Sequence, residues 1–93
     1  MTEPEKIAHI FKVLSDGTRA RIVNLLKHKT LCVNALANAL EISPAAVSQH
    51  LRILRNMDIV TPIKRGYFVH YEINKATLEK WRKLAVNFLE IED

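Results

Sequence analysis

Apolar residues recur along the first two thirds of the chain at helical spacing, and the period then changes. Ile7, Ile10, Phe11 and Leu14 stand at i, i+3, i+4 and i+7, one face of a helix, and predict a first helix over Pro4–Ser15 with proline in its opening turn. Asp16 is placed to cap a second helix, Gly17–Lys29, which would bury Ile22, Val23, Leu25 and Leu26. A shorter third helix fits Val33–Leu40, with Val33, Leu36, Ala37 and Leu40 inward. Ser43-Pro44 is the strongest start signal in the chain, because serine caps free amides and proline at the first helical position gives up no hydrogen bond. The helix it opens, Pro44–Met57, has Val47, Leu51 and Leu54 on one face and Ala45, Ser48, Gln49, Arg52, Arg55 and Asn56 on the other. Two short runs rich in β-branched and aromatic residues follow, Ile59–Lys64 and Tyr67–Ile73, joined at Arg65-Gly66. In the second run Tyr67, Val69 and Tyr71 alternate with Phe68, His70 and Glu72, the period of a strand. Asn74 can cap a last helix, Lys75–Ile91, in which Leu78, Trp81, Ala85 and Phe88 form a heptad-like stripe widened by Leu84 and Ile91. The expected fold is mainly α with a small β-hairpin: four helices, two strands, then a long helix.

Bulk properties narrow the class. Ninety-three residues suit one domain, 1–93, and a chain so short leaves enough surface exposed that a second copy would help bury it. The 48% hydrophobic and 26% charged fractions are those of a globular protein. No apolar run is long enough for a membrane span, and MTEPEKIAHIF carries acidic residues where a signal peptide is basic, so a soluble cytoplasmic protein with no membrane partner is expected. One cysteine, Cys32, excludes an internal disulfide framework. There is no glycine-rich phosphate loop, nucleophile elbow or pair of metal ligands on one helical face, so enzyme chemistry is not expected. Residues 17–75 hold nine of the fourteen basic residues and three of the ten acidic ones, so a basic middle lies between acidic ends. That distribution fits a face for a polyanion, but it equally fits an ordinary solvated surface.

Architecture separates those two readings. A short helix, a tight turn at Glu41-Ile42-Ser43 and a second helix with a small, polar leading edge make the helix-turn-helix pattern. The second helix must enter a major groove about 12 Å wide, so its leading residues must be small or able to reach base edges. Ala45 and Ala46 permit close approach, Ser43 and Ser48 are small and polar, Gln49 suits adenine, and Arg52 and Arg55 can reach phosphate or guanine. The hairpin, tipped by Lys64-Arg65-Gly66, then reads as a wing whose cations meet a flanking minor groove or phosphates. The sequence therefore points to a winged helix-turn-helix protein that binds double-stranded DNA. The rival reading is a winged-helix module for a protein partner; exposed aromatics or leucine at the leading edge and wing tip would favour it, and Ala, Ser, Gln, Arg and Lys favour DNA.

The stretches FKVLSDGTRARIVNLL (11–26), LCVNALANAL (31–40), ISPAAVSQHLRILRNMDIV (42–60) and KRGYFVHYEI (64–73) together resemble the ArsR/SmtB family of winged-helix repressors. The resemblance implies a homodimer formed by the first and last helices, here through Ile7, Ile10, Phe11, Leu78, Trp81, Ala85 and Phe88. It also implies a near-palindromic operator, and release of DNA by an inducer, often a metal ion. Where many relatives place two cysteines one residue apart, this chain has Cys32 and Asn34; the position of an alternative aspartate is Ala35, and residues 74–93 hold no histidine. Neither familiar metal site is complete. Cys32 is left as a small buried residue at a helix start, or as a candidate site for a metal or thiol-reactive inducer with His9 of the partner subunit. His50 is expected to hold two helices together, and His70 to be an exposed strand residue.

Overall fold

The computed structural model describes residues 1–91, and its elements follow the order α1 (Glu3–Leu14), α2 (Gly17–Leu26), β1 (Leu31–Cys32), α3 (Val33–Leu40), α4 (Pro44–Asn56), β2 (Val60–Arg65), β3 (Phe68–Ile73) and α5 (Lys75–Leu89). Five helices and a hairpin stand where the hydrophobic pattern places them. Side-chain caps set most of the boundaries. Thr2 and Glu5 form a capping box that starts α1 one residue before Pro4. Asp16 accepts from the Arg19 N–H at 3.0 Å to start α2, and Asn74 accepts from the Thr77 N–H at 3.2 Å to start α5.

Two elements differ from the expectation. Helix α2 stops at Leu26, three residues earlier than Lys29, and the chain turns into β1, which pairs with β3. The sheet is therefore three-stranded and antiparallel, in the order β1-β3-β2. A two-residue strand has no period to detect, so Leu31-Cys32 carries no signal of its own. The register is Leu31 opposite Tyr71 and Cys32 opposite His70; on the other side of β3, Val60 faces Ile73 and Arg65 faces Phe68. Arg65 is thus the last paired residue and the turn is Gly66-Tyr67. Gly66 takes φ +62, a left-handed conformation that costs glycine nothing, at the first centre of a two-residue hairpin loop.

One apolar cluster runs through the molecule. Ile22, Leu36, Val47, Leu51, Leu54, Ile59 and Val60 are its most fully buried members, so the inward faces of α2, α3 and α4 meet the base of the hairpin. Ile7, Ile10 and Val13 of α1 and Trp81 of α5 close it from the other side. Among the described residues no polar or charged residue belongs to the buried class.

Candidate nucleic-acid interface

The angle between α3 and α4 is fixed by a strained residue. Glu41 ends α3 at φ 57, and its N–H and that of Ile42 both point back to the Ala37 carbonyl, the latter at 3.2 Å. Ile42 packs against the core, and Ser43 then caps α4 by accepting from the Ala46 N–H at 3.1 Å. In the first turn Pro44 has no N–H and Val47 donates to the Ser43 carbonyl at 3.1 Å. The Ala45 N–H, in the first turn, has no intrahelical carbonyl to bond, and such an amide at a helix start can meet an anion.

Helix α4 is seated by Val47, Leu51 and Leu54, all buried. With those side chains inward, Ala45, Ser48, Gln49, Arg52 and Arg55 are exposed along the opposite face, Ser43 is exposed at the N-cap, and Ala46 is only half-exposed. The helix ends through Met57, whose N–H reaches the Ile53 carbonyl at 3.2 Å, and Asp58, at φ 64. Lys64 and Arg65 are exposed at the end of β2 and point to opposite faces of the ribbon. Among the candidate DNA contacts, then, all but Ala46 stand in the open. The wing tip corrects one expectation, for it carries exposed aromatics, Tyr67 fully exposed and Phe68 64% exposed, so the tip does not separate DNA from a protein partner and the leading edge of α4 alone carries that distinction. The sequence places Tyr67 at the start of the second strand; in the structure the loop lies one residue further on, at Gly66-Tyr67, and a tyrosine in a two-residue loop has nowhere to bury itself.

Among the described residues, His50 is the one α4 side chain that ties the helix to another element by polar contacts. Its Nδ1 lies 3.4 Å from Arg19 Nη1 and 4.0 Å from Asp16 Oδ1. Arg19 in turn donates through Nε to the Val13 carbonyl at 2.8 Å. The cluster joins the end of α1, the start of α2 and the middle of α4, so the expected structural role of His50 has a geometry. The Asp16 carboxyl is held below the usual aspartate range, first by the Arg19 backbone N–H and then by the Arg19 and His50 charges. A carboxyl depressed in the folded state contributes stability above its unfolded pKa, and that contribution is lost as pH falls through the folded value. Asp16→Asn keeps the cap but cannot titrate. Thermal unfolding should find the wild type more stable than this variant at pH 7, with the gap closing from about pH 4 downward.

The dimer candidates divide by burial. Ile7, Ile10 and Trp81 lie inside the chain's own core, so they hold α1 against α5 and cannot themselves form an outer face. Leu78 and Ala85 are half-buried. Phe11, at 42% exposed, and Phe88, at 45%, remain open, joined by Val86, Leu89 and Ile91. The i, i+3, i+4 rule marks a stripe but does not say which of its edges the monomer covers.

Cys32 is half-buried and caps α3: its sulfur accepts from the Ala35 N–H at 3.5 Å. His70 corrects an expectation, being half-buried across from Cys32, with an Nδ1 that is buried and has no hydrogen-bond partner. Its strand is covered on that side by β1, the element that the hydrophobic pattern does not announce. Among the described residues no group of three or more His, Cys, Asp or Glu side chains is placed to hold a metal ion. One thiol already engaged as a cap does not fit the four-ligand demand of zinc or the several thiolates wanted by softer ions.

With this geometry in view, comparison with known proteins is specific. Residues 16–61, from the α2 cap through the start of β2, match the model of the bacterial regulatory proteins of the arsR family. The chain is 31% identical over 81 residues to the transcriptional repressor SdpR of Bacillus subtilis, covering 87% of this chain and 90% of that protein. It is 38% identical over 85 residues to the cadmium resistance transcriptional regulatory protein CadC of Listeria innocua, covering 90% of this chain and 71% of that one. A crystal structure of a possible transcriptional regulator for arsenical resistance superposes with a TM-score of 0.79 at 37% identity, over 87% of this chain and 84% of the other. No helix among the described residues is long and apolar enough to cross a membrane. An exposed helix on a capped, strained turn, followed by a cationic wing, is what a regulator rather than an enzyme requires, and the chain belongs to the arsR family as a DNA-binding transcriptional regulator.

Proposed function

We propose that the protein represses transcription as a homodimer on a near-palindromic operator, with α4 in the major groove and the wing on the flanking duplex. The observation that carries this reading is the outer face of α4, where Ser48, Gln49 and Arg52 follow the open Ala45 N–H on a helix fixed from below by Val47, Leu51 and Leu54. Small residues let the helix N-terminus approach, Gln49 offers the bidentate geometry suited to adenine, and Arg52, Arg55, Lys64 and Arg65 supply charge for phosphates. Tyr67 adds a flat apolar surface at the wing tip, suited to sugars or the minor-groove floor beside Arg65. Two copies joined through α1 and α5 would present their recognition helices about one helical turn, ~34 Å, apart or a multiple of it. Such a role belongs to the cytoplasm, where the DNA is.

The test begins with DNA selected by the purified protein from a random pool, followed by anisotropy titrations at several salt concentrations. Gln49→Ala should reduce discrimination at one base position in each half-site by about 1–3 kcal/mol, leaving binding to unrelated DNA little changed. Arg65→Ala should weaken all sequences alike and flatten the salt dependence by about one unit for each phosphate left without its cation, on each wing. Unchanged discrimination in the Gln49 variant would remove its base-reading role. A protein that selects no sequence at all would favour the winged-helix module for a protein partner, to which the exposed Tyr67 and Phe68 would then belong.

A further inference from the structure

Between α1 and α5 lies an open groove of about 240 Å³ whose floor and rim differ in chemistry. The floor is apolar, made by Ile10, Met57, Trp81 and Leu84, with Met1 at one end. The rim is basic: Lys6 and His9 stand on α1 and Lys80 on α5, and among the described residues no acidic side chain lines the groove. Two exposed ammonium groups facing one apolar floor from opposite helices complement a ligand with one anionic end and a short hydrocarbon body. The volume lies below the ~300–1,000 Å³ typical of drug-sized ligands, which leaves room for a short-chain or single-ring molecule. We infer that this groove is a binding site for a small apolar monocarboxylate, its carboxylate between Lys6 and Lys80 and its body on Trp81 and Leu84.

The position suits a regulatory ligand. Met57 ends the recognition helix, and its N–H is bonded to the Ile53 carbonyl, so an occupant touches α1, α5 and the end of α4 together. On α1, Lys6 and His9 lie on the flank turned away from Phe11, given 3.6 residues per turn, while Ile10 shares the inward face with Ile7 and Leu14. On α5, Lys80 lies across the helix from Ala85 and Leu89 by the same count, whereas Leu84 is one turn from Phe88 on the same face. The cationic rim therefore faces away from Phe11, while the floor at Leu84 borders Phe88, so a partner subunit seated on Phe88 would lie beside the groove. Release of DNA by the ligand rests on the proposed operator binding; the site itself does not.

Trp81 is the chain's single tryptophan and forms the floor, so its fluorescence reads occupancy without DNA. The full-length protein is titrated with hexanoate, octanoate, benzoate and phenylacetate, with the matching amides and with inorganic phosphate. The expected result is a saturable change with at least one carboxylate, about tenfold weaker for its amide. That change should be absent with phosphate and weakened about tenfold or more in Lys6→Gln and Lys80→Gln. Both lysines are exposed, so unchanged circular dichroism is expected in the variants. No saturable change with any carboxylate, equal binding of acid and amide, or undiminished binding by both variants overturns the site. A Trp81 signal that responds to protein dilution and to no carboxylate would assign the groove to a second copy and overturn it too. Carboxylate binding that leaves affinity for selected DNA unchanged would keep the site and overturn its part in release; carboxylate binding by a protein that selects no DNA would keep the site and overturn the operator reading.

Discussion

Phe88→Glu is expected to separate the proposed homodimer into monomers and to lower operator affinity about 10²–10⁴-fold, the range lost when one of two linked binding events is removed. Phe11 and Phe88 stay nearly half exposed on the two helices that pack together, and Leu89 beyond them is 70% exposed. A 93-residue chain gains little from showing several large apolar side chains on its first and last helices unless a partner covers them. A glutamate placed there would be buried without a counter-charge in the dimer, and an unpaired buried charge is costly enough to separate the copies. The fold itself should survive, because Ile7, Ile10 and Trp81, not Phe88, join α1 to α5. Phe88→Leu keeps the apolar contact and should remain dimeric. Sedimentation of the three proteins, followed by titration of full operator and isolated half-site, checks both halves of the expectation. The monomer should bind a half-site as the wild type's own half does, losing only the linkage. If the wild type sediments as a monomer, the exposed phenylalanines need another partner.

The recognition helix is legible in the amino-acid sequence because three independent signals agree on it: the Ser43-Pro44 start, the Val47, Leu51 and Leu54 stripe, and the polar residues left opposite. Each is local, resting on capping or on a 3.6-residue period. What the sequence hides is non-local. Strand β1 exists only because Leu31 and Cys32 find the distant strand β3, and with it comes the half-burial of His70. The link from His50 to Asp16 and Arg19 likewise depends on how α4 lies across the α1–α2 corner. The groove above Trp81 has the same origin: Lys6, Met57 and Lys80 share nothing in sequence and meet only when α1 and α5 pack over the end of α4. Cys32 can be read as a helix-start residue from its neighbours, but that its sulfur is the cap follows from the turn into α3.

Leu54→Ala should cost about 2–5 kcal/mol of stability, a large part of the ~5–15 kcal/mol that holds a small domain together. Leu54 is fully buried, on the inward face of α4, within the same cluster as Ile22, Leu36 and Ile59. Removing its isobutyl group takes away transfer free energy and leaves a cavity that the neighbouring helices close only in part. The midpoint of thermal unfolding should fall by at least about 10 °C. Ile53, its neighbour on the same helix, is 40% exposed, and Ile53→Ala should cost less than about 1 kcal/mol. The pair separates burial from helix propensity, since both variants place alanine in one helix and only one of them empties a core site. DNA binding adds a second readout. At low temperature, where both variants remain folded, affinity for DNA should fall in Leu54→Ala although Leu54 is buried and points away from the proposed DNA face. Equal loss of stability in the two would mean that α4 is held by its own helical tendency, and that the core beneath it does not position the residues that meet DNA.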